Sequence, residues 1–263
     1  MQADSIPTKE PLVAGRSSSM TIELPALPDV VWRALTDAQE LARWFPLSAS
    51  VKPAAGGEIV WDWGELYHWP LKIDVWEPGR RLRLLQERDD IGDTPMLLTT
   101  EFVLEGHGGT TTLRVVAAGF GKTKDWDDEY DGVRRGWQYE LRSLRHYLTY
   151  HQGKERQVAW GRVMTPMSTA EIRRTLLATG LDLLVEGDRY RLELRTGDVF
   201  EGMVVRNEAP HDFAGTAVNW NNGLFRFEVW GGGVILWLSA YGVDAGKVAA
   251  QQRRFETLLG KLK

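Results

Sequence analysis

The chain has 263 residues, of which 43% are hydrophobic and 26% are charged, a composition that is typical of a folded globular protein and excludes disorder along the whole chain. Its formal net charge of -4 excludes a global basic field of the kind that attracts nucleic-acid backbones. It contains no cysteine, which excludes a disulfide framework, a thiolate metal site and a cysteine nucleophile, and favours a reducing cytoplasm.

The segment before residue 19 carries acidic residues and prolines where a signal peptide would need an uninterrupted apolar stretch. We therefore predict that residues 1–18 form a flexible tail. No apolar run approaches the roughly 20 residues that span a bilayer. These features predict a cytoplasmic protein without a membrane span, and the length allows two domains.

Residues 20 to 150 predict a strand, two short helices, an antiparallel sheet and a long helix. The strand MTIELPA precedes LPDVVWRALTDAQELARWF, where Asp29 and Thr36 predict two helix starts and Thr36 forms a capping box with Gln39. Alternating apolar residues between turn signals predict strands in GGEIVWDW, WPLKIDVW, RRLRLLQE, LLTTEFVLEG and TTTLRVVAAGF. Apolar residues at three- and four-residue spacing predict a long helix over DDEYDGVRRGWQYELRSLRHYLTYH.

The same order of elements recurs in shorter form after residue 155. QVAWGRVM predicts a strand, and STAEIRRTLLATG predicts a helix with a Ser168/Glu171 capping box and Gly180 as its stop. Five strands follow in GDRYRLEL, DVFEGMVV, FAGTAVNW, LFRFEVW and GVILWLSAYG, and a helix in DAGKVAAQQRRFETLLGKL closes the chain. We therefore predict an α+β chain of two tandem domains, with a first domain over residues 19–153 and a second, diverged domain over residues 154–263.

Four segments of the first half resemble the successive signatures of the START-like superfamily, also called SRPBCC: VWRALTDAQELARWF, WEPGRRLRL, TTEFVLEGHGGTTTLRVVAAGF and GWQYELRSLRHYL. They most resemble the family of the activator of the 90-kDa heat-shock chaperone ATPase. The resemblance implies a helix-grip fold, in which an antiparallel sheet wraps a long C-terminal helix, often around an apolar cavity. Members of the superfamily bind lipids, sterols, polyketides or other hydrophobic molecules, so the resemblance implies such a ligand but no single reaction.

Four of the 12 tryptophans lie within residues 61–76. Strand alternation places Trp61 and Trp63 on one face of the first strand and Trp69 and Val75 on one face of the next, with Trp76 facing away. Charged residues lie on the opposite faces, so the sheet is amphipathic. We expect its apolar face, with the indoles, to face the long helix.

Three interpretations of these indoles compete: an ordinary core, the wall of a cavity for an apolar ligand, and a stacking platform for single-stranded nucleic acid. A platform needs aromatic residues interleaved with basic residues on an exposed face, whereas these rings face the core side. We therefore predict no nucleic-acid partner, and core and cavity stay as alternatives. The predicted ligand-binding residues are Phe45, Trp61, Trp63, Trp69, Phe120, Tyr130, Val133 and Trp137.

Polar groups offer little sign of catalysis. The five histidines show no metal-type spacing, and the acidic residues between 125 and 131 suit the N-terminus of the long helix, whose dipole favours carboxylates. We interpret the arginines of segments 80–83 and 134–145 as side chains exposed to solvent. We predict no metal, no cofactor and no catalytic residue, with His68 as the one candidate acid or base because it adjoins Trp69.

Our first hypothesis is a non-catalytic carrier or sensor of a hydrophobic small molecule. A chaperone-associated protein-interaction module is the second, and a cyclase-type enzyme is the third. The long helix also has a face opposite its apolar stripe, which we interpret as a docking face for the second domain or for a partner subunit in a homodimer. That face carries Gly132, Gly136, Tyr139, Ser143 and Tyr150.

Overall fold

A computed structural model describes residues 15–92, 95–230 and 232–263. The chain divides into two compact units, and the division falls between Leu148 and Thr149. Most of the tail predicted over residues 1–18 lies outside the described residues. The first strand already begins at Arg16, so the last three residues assigned to the tail belong to the sheet.

The first unit is a seven-stranded antiparallel sheet with a long helix at its C-terminal end. Its strands follow the order β1-β7-β6-β5-β4-β3-β2, so the first strand pairs with the last and the others form a meander. The elements are β1 (Arg16–Leu24), α1 (Pro28–Thr36), α2 (Ala38–Ala42), β2 (Ser48–Lys52), β3 (Glu58–Asp62), β4 (His68–Glu77), β5 (Arg81–Arg88), β6 (Met96–His107), β7 (Thr110–Phe120) and α3 (Asp127–His146). A turn of π-helix, Tyr147–His151, extends α3.

The two short helices begin differently from the prediction. The predicted Thr36/Gln39 capping box is wrong, because the Thr36 hydroxyl donates to the carbonyl of Trp32, one turn back in α1. Asp37 caps α2 instead, and its carboxylate accepts from the backbone N–H groups of Gln39 and Glu40. The next residue in the chain takes the capping role because a carboxylate accepts more readily than a hydroxyl that is already bonded within the preceding helix.

Helix α3 buries Trp137, Leu141 and Leu144 of its predicted apolar stripe. Ser143 is buried and donates to the carbonyl of Trp44, in the segment after α2 of the same unit. A Cβ placed on Gly132 or Gly136 would meet no atom within 4 Å, so no contact within the first unit explains these glycines. Ser143 packs within its own unit, and docking of a partner at Gly132 and Gly136 stays a prediction.

The second unit repeats this layout with one strand and one helix fewer. Its six strands follow the order β8-β13-β12-β11-β10-β9, in which the first strand again pairs with the last. The elements are β8 (Arg156–Met164), α4 (Thr169–Leu176), β9 (Arg189–Glu193), β10 (Val199–Glu208), β11 (Asp212–Ala217), β12 (Gly223–Trp230), β13 (Gly233–Tyr241) and α5 (Ala245–Leu259). The predicted α+β class with two tandem helix-grip-like units is confirmed.

Local signals explain several elements of the second unit. The predicted Ser168/Glu171 capping box is present at the start of α4, although the helix ends at Leu176, before the predicted stop at Gly180. Strand β12 alternates as expected, with Phe225 and Phe227 fully buried in the apolar core that α5 also lines. Among the described residues no helix is both long and apolar enough to cross a membrane.

The face of this second sheet that lies opposite the apolar core holds a buried ion-pair network. The side chain of Asp212 is completely buried, and its carboxylate accepts from Arg206 at 2.8 Å and from Arg226 at 3.1 Å. Glu208 pairs with Arg206 and Glu228 with Arg226 on the same face. Burial by itself raises the pKa of Asp212, but Arg226 and then Arg206 hold that pKa below the ordinary aspartate value.

His151 is a buried titratable group of the second unit. Its ring stacks on Tyr241 with centroids 4.0 Å apart, and its Nε2–H donates to the carbonyl of Asn222 at 2.8 Å. Burial lowers the pKa of His151 and the nearby Lys154 lowers it further, although the hydrogen bond to Asn222 acts in the opposite direction. The folded chain therefore resists protonation of this imidazole.

We expect this histidine to make the second unit less stable in mild acid. Because the folded pKa lies below the unfolded value of about 6.5, its contribution is complete above that pH and is lost as the pH falls towards the folded pKa. His151→Gln should flatten the fall in the free energy of unfolding between pH 7.5 and pH 5, measured by urea denaturation. His107→Gln is the control, because His107 is exposed. An unchanged slope in His151→Gln would contradict the prediction.

Candidate functional site

Strands β3 and β4 present their aromatic side chains as a cross-strand pair. Trp61 and Trp69 are directly opposite each other in the ladder, and Ile59 and Leu71 form the next inward-facing pair. Directly opposed residues of an antiparallel pair lie on the same face, so the predicted alternation is correct for these strands. The charged residues Glu58, Asp62 and Lys72 occupy the other face.

Phe45 joins the two strands to the long helix. It follows α2, and its ring lies 4.9 Å from the ring of Trp61, 5.1 Å from Trp63 and 5.3 Å from Trp137 of α3. Two of these contacts are edge-to-face, which is the favoured arrangement of aromatic pairs. The predicted residues Phe45, Trp61, Trp63 and Trp137 therefore meet at one place between the sheet and α3.

Phe102 of β6 belongs to the same place and was missed in the sequence. Its ring lies 5.3 Å from Trp137, and Trp137 in turn lies 5.8 Å from Trp61. The alternation of TTEFVLEG does direct Phe102 inward, but nothing in the sequence says which strand of the meander the middle of α3 crosses. We call Phe45, Trp61, Trp63, Trp69, Phe102 and Trp137 the aromatic cluster.

The aromatic cluster runs from the core to the surface. Trp61, Phe45 and Trp137 are buried, whereas Trp63 and Trp69 are half-buried and lie 5.1 Å apart. Tyr67, between them in the chain, is 44% exposed and its ring is 5.5 Å from Trp69. A continuous path of ring contacts therefore connects solvent, where β3 ends and β4 begins, with the interior beneath α3.

Three predicted residues do not join the aromatic cluster through a ring contact. Phe120 and Tyr130 form a separate edge-to-face pair 5.4 Å apart, where β7 ends and α3 begins. There the Tyr130 hydroxyl donates to the carbonyl of Ser17, and the Arg16 guanidinium lies 4.9 Å from the Tyr130 ring centroid. Val133 is half-buried on α3. Five of the eight predicted residues meet in the aromatic cluster, and their binding of a ligand stays a prediction.

Trp76 faces the interior, contrary to the expectation that it faces away. The register of β4 against β5 shifts between Ile73 and Val75, and this bulge reverses the alternation that follows. Trp76 consequently pairs with the buried Leu82, and its ring lies 5.0 Å from Trp32 of α1. Val75 moves to the opposite face beside Arg83. A bulge carries no sequence signature strong enough to have been read in IDVWEPG.

The candidate acid or base lies outside the aromatic cluster. His68 is paired with Asp62 in the ladder on the outer face of the sheet, its side chain is 64% exposed, and its Nδ1 is 3.8 Å from the Asp62 carboxylate. Sequence adjacency to Trp69 was misleading because neighbours in a strand point to opposite faces. A cyclase-type reaction beneath α3 therefore has no support from His68.

The acidic residues near the start of α3 and the arginines of β5 form ion pairs within the first unit. Within the described residues no group of three or more histidine, aspartate or glutamate side chains could hold a metal ion. Near the start of α3, Glu129 pairs with Arg88 and Asp127 with Arg16. On the outer face of the sheet, both Arg81 and Arg83 contact Glu101.

The first unit is similar to a known protein family. Residues 25–149 match the family model described as Activator of Hsp90 ATPase homolog 1-like protein, so the predicted resemblance is confirmed for this unit. No curated protein matches the chain.

Three solved structures are similar in fold. Protein MLL2253 from Mesorhizobium loti is 23% identical, with a TM-score of 0.46 over 52% of this chain and 99% of that one. The Aha1 dimer from Colwellia psychrerythraea is 20% identical, with a TM-score of 0.46 over 52% and 99%. The di-domain ARO/CYC BexL from the BE-7585A biosynthetic pathway is 14% identical, with a TM-score of 0.45 over 94% of this chain and 95% of that one.

Proposed function

We propose that the protein binds a hydrophobic small molecule at the aromatic cluster, between the sheet and α3 of the first unit. The observation that supports this most is the gradient of burial, from Trp61 and Trp137 in the interior to Trp63 and Trp69 at the surface. Half-buried rings that continue into the interior give an apolar ligand a contact surface at the edge of the core. The match to a family of SRPBCC type is consistent with a ligand-binding fold.

The test is a titration of the indole emission with planar, sterol and fatty-acid probes, namely fluorene, cholesterol and palmitate. At least one probe should change the emission of the wild-type chain, and Trp69→Ala should weaken its binding about tenfold, because it removes roughly 1.4 kcal/mol of apolar contact. Trp160→Ala is the matched control, since Trp160 is a half-buried indole on a strand of the second unit.

The contrary outcome is equally clear. If no probe changes the emission up to its solubility limit, and native mass spectrometry of the purified chain detects no bound small molecule, the aromatic cluster is plain core. An equal loss in Trp69→Ala and Trp160→Ala would place the binding elsewhere.

The family description favours a second candidate, a chaperone-associated interaction module. Under this proposal the protein should raise the ATPase rate of a 90-kDa heat-shock chaperone, and Trp69→Ala should leave that increase unchanged. A homodimer and a cytoplasmic location stay predictions, and sedimentation of the purified chain checks the first of these.

A further inference from the structure

We propose that the ligand carries a neutral hydrogen-bond acceptor, such as a ketone carbonyl, that accepts from the indole Nε1–H of Trp61. This inference rests on the proposed function, because it specifies the chemistry of a molecule bound at the aromatic cluster. It predicts a flat, mostly apolar compound with an oxygen on its buried edge.

The starting observation is a buried donor without an acceptor. Trp61 is 4% exposed, and its Nε1 atom is inaccessible to solvent and has no hydrogen-bond partner among the described residues. Leaving such a donor unpaired costs about 1–3 kcal/mol, and a buried tryptophan N–H usually finds a partner. The structure therefore bears this cost inside the proposed site.

Two other buried indoles, those of Trp44 and Trp237, have an acceptor. Trp44 is 1% exposed and its Nε1 donates to the carbonyl of Ala34 at 2.8 Å. Trp237 is 8% exposed and its Nε1 donates to the hydroxyl of Ser239 at 3.1 Å. In these two indoles burial comes with an acceptor, whereas the buried Nε1 of Trp61 has none at the place where a ligand is proposed to bind.

The surroundings of Trp61 define the acceptor as neutral. Its ring neighbours are Phe45 and Trp137, and the inward-facing ladder neighbours are Trp69, Ile59 and Leu71. A carboxylate would have to shed its hydration among these apolar groups in exchange for one N–H, which costs more than the bond returns. A carbonyl or ether oxygen needs only one donor, and the flat rings around it favour a planar ligand.

Trp63 lies at the solvent end of the aromatic cluster that contains this donor. It is half-buried, it lies just beyond the end of β3, and its ring contacts both Phe45 and Trp69. Its backbone N–H donates to the carbonyl of Tyr67 at 2.8 Å, so the main chain is held while the side chain stands at the solvent end of the aromatic cluster. A ligand that displaces the Trp63 ring would contact Phe45, whose ring in turn contacts Trp61.

The experiment compares two probes that share a shape and differ in one oxygen. Fluorene is a planar hydrocarbon, and 9-fluorenone is the same ring system with a ketone. Binding of each to the full chain is measured by quenching of the indole emission and by calorimetry. Fluorenone should bind about three- to tenfold more tightly, the range expected for a net hydrogen bond of about 0.5–1.5 kcal/mol.

The variant Trp61→Phe keeps a ring but removes the donor. The readout is the ratio of the two dissociation constants, which should fall to about one in this variant. Trp76→Phe is the control, because Trp76 packs on Trp32 of α1, and it should keep the preference. The carbonyl stretching frequency of fluorenone bound to the wild-type chain should also lie below its value in an apolar solvent, a measurement that needs no variant.

Each outcome decides a different question. Failure of both probes to bind would contradict the proposed function for planar ligands. Equal binding of the two probes to the wild-type chain, a preference that survives in Trp61→Phe, or an unshifted bound carbonyl would overturn this inference and leave the proposed function standing.

Discussion

Replacing Trp137 with alanine is expected to lower the free energy of unfolding of the first unit by about 3–5 kcal/mol, the range for large aromatic deletions in a core. The indole is buried and contacts rings from three separate parts of the chain, namely Phe45, Trp61 and Phe102. Alanine is a good helix former, so α3 itself should persist and the loss should come from packing.

The measurement is chemical denaturation followed by circular dichroism, with the two units fitted as separate transitions. Trp63→Ala is the graded comparison, because Trp63 is only half-buried and its removal should cost clearly less. A change in Trp137→Ala no larger than that in Trp63→Ala would show that the rings beneath α3 are loosely packed, and it would strengthen the case for an open cavity.

Replacing Asp212 with asparagine is expected to destabilise the second unit by about 3–5 kcal/mol, the range for breaking a buried ion pair from one side. The variant keeps the size of the side chain but removes the charge that contacts both Arg206 and Arg226. Two guanidinium groups would then lie close together without the carboxylate between them.

Glu208→Gln is the matched control for this change. Glu208 also pairs with Arg206, but its side chain is 42% exposed, so its loss should cost at most about 1 kcal/mol. Because the pKa of Asp212 lies below its unfolded value, its contribution is complete above about pH 4 and is lost as the pH falls further. Equal stabilities for the two variants at pH 7 would contradict the prediction.

Part of the candidate site could be predicted from the sequence because strand alternation is local. It oriented Trp61 and Trp69 correctly, and the helical spacing of α3 directed Trp137 towards the sheet. Both inferences need only the period of one element.

The parts that failed depend on relations between elements. Phe120 and Tyr130 were grouped with Trp137, but Trp137 lies seven positions after Tyr130, a distance of about 10 Å along α3. Trp76 was misplaced by a bulge, and Phe102 was missed because only the assembled sheet shows which strand α3 crosses. Asp212 escaped notice because a charge on a strand ordinarily indicates an exposed face.

The pairing of first and last strands has a consequence for how the chain folds during its synthesis. Strand β1 cannot pair until β7 has been synthesised, and its partner for Leu24 is Thr111, about 90 residues later. In the same way, β8 cannot pair until β13 has been synthesised. Such distant pairings slow folding, and an unpaired strand edge stays open to wrong partners in the meantime. Because the whole first sheet ends at Phe120, the ribosome delivers every strand of the first unit before any strand of the second, so the two similar sheets need never compete for one another's strands.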